Sequence, residues 1–106
     1  MTPKINPQSK KLLMDVIECL KENGVADMTT RVRCSQEMVI ATNKHLERVK
    51  QALKAGKHDD IDKSSEQWAG DLTALGEKYK IPGGDMTLMA VMEVMGRYIE
   101  DLKKRV

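Results

Sequence analysis

The stretch SQEMVIATNKHLERVKQALKAG, residues 35 to 56, decides the fold class. Val39, Thr42, Leu46, Val49 and Leu53 follow one another at steps of three, four, three and four. That alternation returns to one side of a helix every turn and gives a heptad-like seam. Gly56 then stops it, as a glycine just past a helix end does. Extended backwards, Val32 and Met28 fall on the same seam and favour an early start. Thr29, Thr30 and Val32 are β-branched, so residues 28–34 also read as a short extended segment.

The same period recurs on either side. Leu13, Val16, Ile17 and Leu20 form an apolar stripe that ends at Asn23-Gly24, and Pro7 with Asn6 or Ser9 supplies its start. Ile61, Trp68, Leu72, Leu75 and Tyr79 make a third seam, opened by His58, Asp59, Asp60 and Asp62 and stopped at Pro82-Gly83-Gly84. Asp85 caps a last helix whose terminal cations, Lys103, Lys104 and Arg105, meet the negative end of the dipole. The expectation is an all-α single domain, residues 1–106, with helices over about 8–22, 28–55, 60–79 and 86–104. Short connections favour antiparallel neighbours, hence an up-down-up-down four-helix bundle with a long second helix.

Composition narrows the function classes. The 106 residues suit one core. Eighteen basic side chains face sixteen acidic ones, and a net charge of +2 supports no strong field for nucleic acid or an anionic surface. The apolar run Leu12–Leu20 contains Asp15 and Glu18, which does not suit a secretory signal, and no stretch reaches the ~18 apolar residues of a membrane span. A cytoplasmic protein with no membrane partner is expected. Cys19 and Cys34 sit in no CxxC or Cys/His spacing and read as reduced, partly buried thiols.

With no Phe, one Trp and eight Met, the core must be aliphatic and rich in thioethers. Met86, Met89, Met92 and Met95 stand at every third position of the last helix. At about 100° per residue the row spirals: Met92 and Met95 turn inward with Leu88, Val91, Ile99, Leu102 and Val106, Met89 flanks them and Met86 starts on the polar side. The sulfurs do not converge as a soft-metal site requires. With Val94 and Tyr98 on one flank and Met89 and Gly96 on the other, the apolar arc exceeds half the circumference, more than a surface helix of a monomer needs.

Other constellations are sparse. Trp68-Ala69-Gly70 resembles the WxG tripeptide of small secreted helical-hairpin proteins, but it falls inside a seam rather than at a bend. Trp68 is therefore read as a core anchor whose indole N–H needs a partner. His45 lies beside a seam and reads as structural. The acids near His58 read as helix-capping charge rather than cation ligands. There is no ExxH pair, HExxH, nucleophile elbow or phosphate loop, so neither enzyme activity nor a cofactor or metal is expected.

The function this supports is a small protein-binding module of adaptor, chaperone, immunity or inhibitor type, as small bacterial or phage proteins often are. Its contact surface is Met86, Met89, Val94 and Tyr98, and its partner another protein or a second copy in a homodimer. The alternative is a nucleic-acid-binding accessory protein using a basic stripe of Lys44, Arg48 and Lys54. Further basic residues stand at Lys4, Lys10, Lys11, Arg31, Arg33, Lys50 and Lys57, while Glu37 and Glu47 interrupt the stripe.

Overall fold

The computed structural model describes the backbone of residues 7–104 and the side chains of residues 10–101. Cap positions Asn6 and Ser9, the basic Lys4, seam positions Leu102 and Val106 and the cations Lys103, Lys104 and Arg105 lie outside the described side chains. Four helices follow in order: α1 (Pro7–Glu22), α2 (Met28–Ala55), α3 (His58–Lys78) and α4 (Asp85–Lys104). There is no strand among the described residues, and residues 28–34 are the first turns of α2.

Local chemistry explains the boundaries. Asp27 caps α2, its carboxylate accepting from the Thr30 N–H at 2.8 Å and the Thr30 hydroxyl at 2.6 Å. This cap overrides the β-branched preference of Thr29, Thr30 and Val32. At the start of α3, Lys57 makes no capping hydrogen bond, and Asp59 and Asp60 act through the dipole alone. Asp85, expected to cap α4, is instead its first residue.

The first three helices end alike. The N–H of Val25 reaches the Leu20 carbonyl (3.0 Å), that of Lys57 reaches Ala52 (2.9 Å) and that of Ile81 reaches Gly76 (3.0 Å). Each closes a six-residue loop that satisfies an orphan carbonyl. Val25 and Ile81 are buried, so two of these ends are also driven into the core. The left-handed residue closing α3 is Lys80 (φ 51°), ahead of the Pro82-Gly83-Gly84 run to which the sequence attributes the stop. Gly83 is needed for a different reason. At φ 81° a Cβ there would lie 2.5 Å from Thr87 Oγ1, which donates to the Pro82 carbonyl at 2.6 Å.

Contacts join α1 to α2, α2 to α3, α3 to α4 and α4 back to α1, a closed ring of neighbours. All four helices send residues into one apolar cluster, among them Val16, Met38, Leu72 and Met95, each fully buried. Met28 and Leu53, placed on the α2 seam by spacing, are 67% and 44% exposed. For Met28 the reason is length: α3 ends at Lys78, which pairs with Glu37, so the first turns of α2 run past it. At Leu53 the buried face has moved onto Ala52, because a straight helix drifts off a strict heptad seam.

A polar thread runs through this interior. Trp68 Nε1 donates to Thr42 Oγ1 at 3.0 Å. The Thr42 hydroxyl reaches back to the Met38 carbonyl (2.8 Å) and lies 3.1 Å from Met95 Sδ. One turn further along α2, the His45 ring stacks on the Trp68 indole, with centroids 5.2 Å apart and planes 10° from parallel. Ser64 Oγ sits 2.8 Å from both His45 Nδ1 and Arg48 Nε. Replacing Thr42 by Val keeps the volume but orphans the indole N–H, so chemical denaturation should show a loss of about 1–3 kcal/mol. Thr42→Ser should retain most of that stability.

Candidate functional site

The sequence points to α4. Met86 and Met89 are 79% and 69% exposed and line a shallow concavity with Ala90, Met92 and Glu93. Three residues apart, they project about 60° from each other on the helix surface. Met92 is half-buried and Met95 fully buried. Val94 and Tyr98 are elsewhere: both are half-buried and packed against the core. Tyr98 is nine residues from Met89, about 180° around the helix. Val94 instead borders the groove between α4 and α1, with Glu18, Cys19 and Glu22. The four residues expected to form one surface are thus divided, and only Met86 and Met89 stand together in solvent.

The basic stripe is divided as well. Lys44 and Lys54 are exposed, whereas Arg48 is half-buried with its Nε–H given to Ser64. Arg48 and Lys54 lie about 120° apart around α2. Arg31 is buried, its Nη1 donating to the carbonyls of Val25 (2.8 Å) and Ala26 (3.1 Å). It ties down the α1–α2 connection and adds nothing to a surface stripe.

Ser64 and His45 are each 4% exposed, so their contact lies beneath the surface and holds α3 to α2. Burial pushes the Cys34 thiol up to about 11 and raises that of Cys19, which keeps both protonated at neutral pH. Both thiols are free. Among the described residues, no three His, Cys, Asp or Glu side chains gather where a metal ion would sit. No helix among them is long and apolar enough to cross a membrane.

A second surface feature, unmarked by any motif, lies between α2 and α3. A groove of about 460 Å³ is lined by Glu37, Ile40, Ala41 and Lys44 from α2 and by Asp71, Ala74, Leu75 and Lys78 from α3. At one end Lys78 Nζ is 3.0 Å from Glu37 Oε1, and the Tyr79 hydroxyl donates to Glu37 Oε2. The Tyr79 hydrogen bond, with Lys78 adding to it, holds the Glu37 carboxyl below its usual range. The same bond raises the Tyr79 phenol, whose proton it uses.

A lowered carboxyl contributes stability that is complete above the ordinary carboxylate range and is lost as pH falls through the lowered value. Thermal unfolding should therefore show a lower midpoint at about pH 3 than at about pH 6, with Glu37→Gln reducing that difference. An unchanged pH dependence in the variant would mean that the Glu37–Tyr79 bond does not form in solution.

Family models, curated proteins and solved structures offer no match to this chain, so a functional reading rests on the residues above.

Proposed function

We propose that this chain is a protein-binding module of adaptor, chaperone, immunity or inhibitor type, acting through Met86 and Met89 of α4. The observation that carries the reading is their exposure, 79% and 69%, on a helix whose other side carries the fully buried Val91 and Met95. Two flexible thioethers held in water gain free energy when a partner covers them, and their lack of branching lets them fit an irregular surface. Among the described residues methionine also supplies most of the other large apolar exposure: Met14 is 65% and Met28 67% exposed, with Leu53 the remaining case.

The arrangement we propose for the helices is up-down-up-down and antiparallel. It is supported by the closed ring of neighbours and by the α2–α3 pairings, in which Glu37, Thr42 and His45 meet Lys78, Trp68 and Ser64. In that arrangement α2 and α4 both begin where Gly24 approaches Pro82, which puts Met28 and Met86 at one end of the molecule. The partner is another protein. The nucleic-acid alternative loses ground because Arg48 is held by Ser64 and Lys44 shares its groove with the acids Glu37 and Asp71.

The test compares immobilised wild-type protein with Met86→Ser/Met89→Ser in extracts of the native cell. Exposed substitutions of this kind change stability by less than about 0.5 kcal/mol, so both baits remain folded. A protein retained in near-stoichiometric amount by the wild type and lost from the variant is the expected result. Identical retention by both baits would remove α4 as the contact.

A further inference from the structure

The α2–α3 groove has a charge pattern that selects its own occupant. Its floor is apolar: Ile40 and Ala41 on one helix, Ala74 and Leu75 on the other. Leu75 packs against the core, whereas Ile40 is half-buried without belonging to the residues packed there. Around that floor stand four charges, one at each corner. Glu37 and Lys78 face each other at one end and Lys44 and Asp71 at the other, so signs alternate around the rectangle.

The two ends differ in one respect. Glu37 is engaged by Lys78 and Tyr79, while Lys44 and Asp71 make no ion pair or side-chain hydrogen bond among the described residues. A rectangle of alternating charge is complementary to itself. If a second copy is laid face to face and related by a two-fold axis running along the groove, each α2 falls opposite the other copy's α3. Lys44 then meets Asp71 of the second copy, twice by symmetry, and Glu37 meets Lys78. This is an isologous contact, in which the same patch serves both partners. A two-fold across the groove would also match signs, but it would set Lys44 against a Glu37 already satisfied by two donors.

We infer that the α2–α3 groove is a self-association surface on which a second copy of this chain seats about a two-fold axis along the groove, with Lys44 opposite Asp71. The surface is separate from the exposed methionines of α4, so the module has one face for itself and another for its partner. A patch centred on four apolar side chains falls at the small end of specific interfaces, and the dimer it forms dissociates on dilution. Of its corner charges Lys44 and Lys78 are exposed and Glu37 and Asp71 half-buried, so added salt weakens it.

Sedimentation of the full chain tests this from about 10 μM to about 1 mM, the range in which small interfaces come apart. The wild type should move from monomer toward dimer as concentration rises, and Ile40→Glu should remain monomeric. Lys44→Glu or Asp71→Lys alone sets like charges across the axis and should also remain monomeric. The double swap, Lys44→Glu/Asp71→Lys, restores opposite signs about this axis and should recover the dimer, whereas about the crosswise axis it would repel at every corner. Met86→Ser/Met89→Ser should associate like the wild type, which separates this surface from the α4 reading. Circular dichroism confirms that each variant is folded. A wild type monomeric throughout, a double swap no better than either single change, or loss of association in the methionine variant would each overturn the inference.

Discussion

A buried indole N–H must find an acceptor, and in this protein the whole α2–α3 contact is arranged around that requirement. Trp68 is the only tryptophan in a chain without phenylalanine, so it is the largest rigid body the core possesses. Its ring is 8% exposed, and its N–H ends on Thr42 Oγ1, a hydroxyl that is itself fully buried. Thr42 in turn is tied to its own helix through the Met38 carbonyl and touches Met95 of α4. One polar atom thus joins three helices. Sliding α3 by a turn along α2 would break the bond to the indole and the His45 stack together, each left without compensation.

The core is less rich in thioethers than the composition suggests: among the described residues only Met38 and Met95 are buried in it, while Met14, Met28, Met86 and Met89 are exposed. Most of its other members are aliphatic, and apolar contacts carry no direction. The thread of Thr42, Trp68, His45 and Ser64 supplies the directionality that the apolar cluster lacks. Methionine then serves two ends in one molecule: Met38 and Met95 fill space at 0% exposure, while Met86 and Met89 stand in water. Residue type does not separate the two roles; angular position on α4 does.

Much of the helical plan was legible in the chain. The seam at Val39, Thr42, Leu46 and Val49 is buried as its spacing implies, although Thr42 is polar and owes its place to the indole. Glycines 24 and 56 mark helix ends through their positive φ. Heptad spacing reports neither how far a neighbour extends nor the drift of a straight helix off its seam, which is why the spacing of Met28 and of Leu53 suggests core. It is equally silent on pairs distant in sequence: nothing near Arg48 announces Ser64, and nothing near Glu37 announces Tyr79. The α2–α3 groove was invisible for the same reason, since its halves lie some thirty residues apart. The surface drawn from Met86, Met89, Val94 and Tyr98 failed to assemble because apolar character was summed around the whole of α4, when α1 takes one flank.

Because the chain has a single tryptophan, the central constraint produces a single indole N–H resonance. Hydrogen exchange of that proton, followed by NMR in the intact protein, measures the Trp68–Thr42 bond without interference. A bond that holds α3 in register allows exchange only through large-scale opening, with a protection comparable to the most stable backbone amides of α2. Exchange as fast as that of an exposed indole would contradict it, and with it the claim that this bond fixes α3 against α2.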